Sequence, residues 1–115
     1  MKKVLVISEN VGLCNFLLKL QSDLDLKSKC RFEFRYTIHN NNPKSMQSIG
    51  ACEIDMADEK MVDWIVGTYD IVFSLHCQQI FPSSLVSQIP CFNFHPGYNP
   101  YNRGWYPQIF SLRKF

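Results

Sequence analysis

Asn93 and His95 stand two residues apart at the end of the apolar run Ile89-Pro90-Cys91-Phe92-Asn93-Phe94, and Pro96-Gly97 follows them. Side chains two apart on a strand face the same way, so this pair could close on one reacting atom while Phe94 packs behind it. One partner is a carboxamide able to donate a hydrogen bond. The other is an imidazole whose ordinary pKa, about 6.5, lies near neutrality, so a small environmental shift lets it exchange a proton or carry charge. Pro96 biases His95 toward extended backbone and Gly97 permits a sharp departure after it, which together help to hold the ring still. A bare Asn-x-His is more often a satisfied polar pair than a catalytic one. Its continuation, Tyr98-Asn99-Pro100-Tyr101-Asn102-Arg103-Gly104-Trp105, is what weights it toward chemistry.

The elements around the pair read as strands alternating with helices. Val4–Ser8 is a short, almost wholly apolar strand of the kind buried on both faces of a parallel sheet. Leu13, Phe16, Leu17, Leu20 and Leu24 then recur at helical spacing. Phe32, Phe34 and Tyr36 alternate with charged residues, which predicts a second strand nearer an edge. Asn40-Asn41-Asn42-Pro43 has the chemistry of a loop. Asp58 suits a helix cap before Val62, Trp64, Ile65 and Val66, with Gly67 as the stop. Ile71–Leu75 is the next buried strand, Phe81-Pro82-Ser83-Ser84 can start a short helix, and Pro90 suits the beginning of the last strand. Phe110–Phe115 reads as the opening turns of another helix. The order predicts one domain over residues 1–115: an open, mainly parallel Rossmann-like α/β sheet with helices on both faces.

Ligands of such sheets lie beyond the carboxyl ends of the strands, where the loops Ser8–Gly12, Leu75–Pro82 and His95–Trp105 would meet. In the first of these, a helix start offers free backbone donors to a phosphate. Glu9 beside a diphosphate would be repulsive, so Asn10 suits a helix cap better than a ligand contact. In the second, His76 beside Cys77 raises a thiol nucleophile, but a strand-end cysteine is more often a small buried apolar group. His39 has no evident partner and reads as a surface residue.

Composition bounds the rest. A chain of 115 residues with 46% hydrophobic and 14% aromatic content can bury one core. The formal charge of +2 and the scatter of lysine and arginine leave no basic face for nucleic acid or membrane. Five cysteines at 14, 30, 52, 77 and 91 make no Cys-x-x-Cys unit, which argues against a structural zinc site. Their odd number fits a reducing cytoplasm better than a disulfide scaffold. Met1-Lys2-Lys3 leads into an apolar run too short for a signal peptide or a membrane span. No Gly-x-Gly-x-x-Gly follows the first strand and no Gly-Lys-Ser or Gly-Lys-Thr phosphate loop is present.

Asn93-x-His95-Pro96 with the loop ending in Arg103-Gly104 resembles the local signature of formyltransferases that use N10-formyltetrahydrofolate. The fuller run from Asn93 through Tyr106-Pro107-Gln108 looks most like the branch that formylates amino groups on nucleotide-linked deoxyaminosugars. The resemblance implies the family's amino-terminal fold, N10-formyltetrahydrofolate as donor, and an aminosugar carried on a nucleotide, dTDP by preference, as acceptor for a surface glycan. It implies catalytic roles for Asn93 and His95. The loop Ser74–Pro82, with His76, Cys77, Gln78 and Phe81, would receive the pterin end of the folate, largely through backbone groups. Gln78 stands where the family often has lysine. Asn10, Tyr98, Asn102, Arg103 and Trp105 would face the sugar nucleotide, against the simpler readings of Arg103 as a loop stabiliser and Trp105 as a packing residue. The family completes its site with an aspartate downstream of the pair, and this sequence has no aspartate after Asp70. The chain therefore reads as an incomplete catalytic domain, with self-association expected through apolar surface left uncovered. The alternatives are a folate- or nucleotide-binding fragment without catalysis, and formyl transfer to methionyl-tRNA or a purine precursor.

Overall fold

The computed structural model describes residues 1–77, 79, 81–98 and 108–114; for 95–98 and 108–114 it describes the backbone course. In chain order the elements are β1 (Lys2–Ser8), α1 (Val11–Asp23), β2 (Cys30–Thr37), α2 (Pro43–Gln47), β3 (Cys52–Ile54), α3 (Glu59–Thr68), β4 (Ile71–Leu75), α4 (Ser83–Val86), β5 (Cys91–Tyr98) and β6 (Gln108–Lys114). They form one sheet in the order β3-β2-β1-β4-β5-β6. Every neighbouring pair is parallel except β5 with β6, which is antiparallel.

β1 lies at the centre because its sequence suits burial on both faces. Val4, Leu5, Val6 and Ile7 are all buried, and alternation sends them to two separate cores. Leu5 and Ile7 join Val72 and Cys91 with Ile65 of α3 and Leu85 of α4. Val4 and Val6 join Tyr36 and Leu75 with Leu13 and Cys14 of α1 and Met46 of α2. Helices therefore cover both faces, and the sheet is open and mainly parallel.

Each helix start has a local cause. Asn10 caps α1, its Oδ1 accepting from the Leu13 amide at 3.1 Å. Asp58 caps α3, its Oδ1 accepting from the Lys60 amide at 3.0 Å, as the sequence predicts. α3 passes through Gly67 and closes on Tyr69, whose amide donates to the Ile65 carbonyl at 2.9 Å. Gly67 is thus an interior residue of the last turn and not the stop. Pro43 belongs to a five-residue helix rather than to the asparagine loop before it, and its missing donor costs nothing in a first turn.

The main departure from expectation is at 108–114. In place of the opening turns of a helix, this stretch forms β6, pairing from Phe92↔Lys114 to Tyr98↔Gln108. Ile109, Phe110 and Leu112 fit either periodicity over so short a run, and the open edge of β5 supplies a ladder that local propensity does not foresee.

Candidate active site

The strand order reverses between β1 and β4, since β2 and β3 lie to one side and β5 and β6 to the other. That reversal opens a crevice beyond the carboxyl ends of β1 and β4, where ligands of open α/β sheets bind. Two loops bound it. One leaves β1 through Glu9 and Asn10; the other leaves β4 through His76 and Cys77.

The two loops are joined at the base of the crevice, where the Glu9 amide donates to the His76 carbonyl at 3.1 Å. His76 itself has φ +58°, a left-handed conformation that histidine visits more often than most side chains. It turns the chain sharply off β4 and leaves its ring exposed. Non-glycine residues in this region carry backbone strain and gather at functional sites.

Glu9 resolves the apparent conflict between its charge and a phosphate ligand. Its carboxylate turns toward the end of β2, accepting from the Thr37 amide at 2.9 Å and the Thr37 hydroxyl at 2.8 Å. The Asn40 carboxamide donates to it as well, at 3.3 Å. Thr37 is fully buried, so Glu9 acts as a strut between the carboxyl ends of β1 and β2. No spacing in the sequence links positions 9 and 37; Glu9 is read there as a charge beside a phosphate site, and Thr37 is not singled out as part of the rim. His39 is exposed, as expected, and its amide donates to the Thr37 hydroxyl at 3.3 Å.

On the other side of the crevice, Ser74 of β4 stands in register with Asn93 of β5, and Leu75 with Phe94. Alternation from Cys91 puts Asn93 on the α3–α4 face and Phe94 on the α1 face. Phe94 meets the Phe73 ring edge-on at 4.9 Å between centroids, so an aromatic layer does pack behind Asn93. His95 follows two register positions along β5 from Asn93, with its backbone opposite Ser111 of β6. Tyr98 ends the same strand, opposite Gln108. Gln78, Asn102, Arg103 and Trp105 lie outside the described residues.

Cys77 has the character of a packing residue. Burial pushes its thiol up to about 11, against the opposing pull of a hydrogen bond to the Gln79 carbonyl at 3.2 Å. A thiol held that high is a poor nucleophile near neutrality. Phe81 is buried among Leu85, Ile89 and their neighbours in the α3–α4 core, so its ring anchors the far end of the loop. Asn10, exposed, carries the α1 cap with its side chain, and its backbone amide donates to the Ser8 hydroxyl at 3.1 Å.

Gln79, like Thr37, is a residue of this rim that sequence reasoning passed over. Its Oε1 accepts from the Met56 amide at 2.8 Å and its Nε2 donates to Asp55 Oδ1 at 2.9 Å, which binds the loop after β4 to the loop after β3. Among the described residues, no group of three His, Cys, Asp or Glu side chains is placed to hold a metal ion. Among the same residues, no helix is long and apolar enough to cross a membrane.

The sheet order, the switch-point crevice and the Asn93 strand define a Rossmann-like α/β domain of the formyltransferase type. No family model matches the sequence. The chain is 51% identical over 63 residues to a dTDP-4-amino-4,6-dideoxyglucose formyltransferase of Mycobacterium tuberculosis, a match covering 55% of this chain and 26% of that protein. It superposes on a sugar N-formyltransferase from a Shewanella species with a TM-score of 0.83 and 38% identity, covering 100% of this chain and 51% of the other. A 4-N formyltransferase from Francisella tularensis gives a TM-score of 0.67 at 28% identity, covering 99% of this chain and 50% of the other. The chain thus spans about half the length of these solved structures, and its match takes in about a quarter of the curated relative. It is a relative of the sugar N-formyltransferases, corresponding to their amino-terminal portion.

Proposed function

We propose that this chain supplies the donor-binding and catalytic-pair portion of an enzyme that moves a formyl group from N10-formyltetrahydrofolate to the amino group of a nucleotide-linked amino-deoxysugar. The observation that carries the reading is the position of Asn93. It lies on β5 in register with Ser74, beside the switch-point crevice, in a chain whose relatives are sugar N-formyltransferases.

The folate would bring the reactive formyl group. Against it, the Asn93 carboxamide has the chemistry to donate a hydrogen bond to the formyl oxygen as negative charge builds there. His95 has the chemistry to take or hold the proton that leaves the attacking amine. The turn at His76 and the loop beyond it present backbone groups to the pterin end. Asn10, Tyr98, Asn102, Arg103 and Trp105 are assigned to the sugar nucleotide, with dTDP preferred because the Mycobacterium tuberculosis relative is named for a dTDP-sugar. The reading places this chemistry in the cytoplasm, in keeping with five free cysteines.

Titration with 5-formyltetrahydrofolate and then dTDP, in reducing buffer, tests the binding half, and saturable heat from the folate analogue is expected. A folded chain that takes up neither ligand would falsify it. The chemical half is tested with His95→Asn in the protein that carries the activity. Turnover should fall by about 10²–10⁴, the usual reach of a positioned acid–base group. Affinity for both ligands should hold within about threefold, a shift below 0.7 kcal/mol. Unchanged turnover would remove His95 from the mechanism.

A further inference from the structure

Gln79, in the β4–α4 loop, uses its backbone carbonyl and both ends of its side chain to shape that loop. Its backbone carbonyl accepts from the Cys77 thiol at 3.2 Å, which ties the loop to itself. Its side chain then reaches across to the β3–α3 loop with both ends of the carboxamide. Oε1 takes the Met56 amide at 2.8 Å, and Nε2 gives to Asp55 Oδ1 at 2.9 Å.

Both partners are themselves fixed. The Met56 side chain is fully buried in the α3–α4 core, so its amide cannot move without disturbing that core. Asp55 Oδ1 also accepts from the Ala57 amide at 3.0 Å, closing a short turn at the end of β3. Gln79 first and Ala57 second hold the Asp55 carboxyl below its ordinary pKa, as hydrogen bonds donated to a carboxylate do. A charged acceptor strengthens the bond from Gln79.

The loop between His76 and Phe81 is therefore held at three places. The Glu9 amide holds the His76 carbonyl at the crevice base, Gln79 holds the middle to the β3–α3 loop, and the Phe81 ring is sunk in the core. Among the described residues, the Gln79 clamp ties the middle of this loop to the β3–α3 loop.

We propose that Gln79 is a positioning residue whose two-ended clamp onto Met56 and Asp55 sets the shape in which the β4–α4 loop receives the folate donor. This deepens the proposed function and rests on it for the identity of the ligand. Gln79 does not touch the donor; it acts through the backbone of its own loop. The clamp is specific to a primary amide of this length, because one end must accept and the other donate. Glutamate at position 79 keeps the acceptor but sets a carboxylate against Asp55, while asparagine at 55 keeps Oδ1 for the Ala57 amide and brings Nδ2 as a donor toward that carboxylate.

The test is calorimetric titration of the 115-residue chain and three variants with 5-formyltetrahydrofolate and, separately, dTDP. Gln79→Ala and Gln79→Glu should each weaken folate binding about tenfold, about 1.4 kcal/mol, and leave dTDP binding unchanged. Adding Asp55→Asn to Gln79→Glu should restore most of the folate affinity, which a merely structural loss would not do. Hydrogen exchange supplies a ligand-free reading: the Met56 amide should exchange faster in Gln79→Ala and return toward the parent rate in the double variant. Unchanged folate affinity in both single variants, equal losses for both ligands, or failure of the double variant to recover would each overturn the clamp. If the parent chain binds no folate, the proposed function falls and the clamp's ligand with it. If the parent binds and Gln79→Ala binds equally, the clamp alone falls.

Discussion

Asn10 and Cys77 are two residues for which a catalytic or binding reading and a structural one predict different measurements. Asn10 Oδ1 caps α1 by accepting from the Leu13 amide, so Asn10→Ala should lower stability by about 1 kcal/mol, read as a lower urea midpoint at constant m-value. Asn10→Ser keeps a capping oxygen and should lose only a few tenths of that. A serine variant of full stability that no longer binds dTDP would establish a substrate role beside the cap. The cysteines separate by environment in the same way. Cys52 is exposed, while burial pushes the thiols of Cys14, Cys77 and Cys91 each up to about 11. Mass mapping after brief iodoacetamide treatment at pH 8 should find Cys52 labelled first and these three last, because the thiolate is the reacting form. Early labelling of Cys77 would reopen it as a nucleophile. At this scale the sequence exposed residues that act within their own element: the Asn10 and Asp58 caps and the packing role of Cys77 follow from neighbours in the chain. Glu9 with Thr37, and Gln79 with Asp55, were hidden because each bond joins loops that only the sheet order brings together.

Among the elements, β1 is the one on which the crevice depends, since it pairs with β2 on one side and β4 on the other. Leu5 and Ile7 are fully buried on the α3–α4 face, so Leu5→Ala should cost about 2–5 kcal/mol, measured by urea unfolding. A change at Lys2 on the exposed end of the same strand should stay within about 0.5 kcal/mol. If Leu5→Ala cost no more than that, β1 would not be the packed centre of the sheet. Strands such as β1 and β4 are legible because near-continuous Val, Ile and Leu runs have few alternatives to burial in a parallel sheet. β2 is legible by alternation, and it lies where that pattern predicts, next to the edge strand β3. β6 was not legible, because Ile109-Phe110-Ser111-Leu112 satisfies a short helix or a strand equally and the choice rests with the partner strand β5. Of the Asn93–His95 pair, the sequence supplied the shared strand and the aromatic layer behind it; the register of Asn93 with Ser74 came only from the assembled sheet.

The whole molecule joins two cores through one sheet, and the titratable groups buried in both give it a predictable response to alkali. Cys14 lies in the α1–α2 core and Cys91 in the α3–α4 core, with Cys77 packed against the latter, and burial raises each thiol from 9.0 to about 11. Tyr69 is raised from 10.0 to about 12, by burial first and then by its hydrogen bond to Glu33 at 2.9 Å. In each case the folded chain holds its proton to a higher pH than the unfolded chain does. The stability these groups contribute is thus fully present below pH 9, where both states are protonated. It declines once the unfolded chain begins to lose protons that the folded chain keeps, and is gone as pH passes the folded values near 11 and 12. Urea unfolding in reducing buffer should therefore give level stability from pH 7 to 8.5 and a progressive fall from pH 9 to 11. Cys91→Ala removes one of the titrating groups, so its variant should start less stable at pH 8 through the lost packing, yet fall less steeply above pH 9. Parallel curves for the two proteins would mean that Cys91 ionises alike folded and unfolded, and that its burial in the core does not govern its proton.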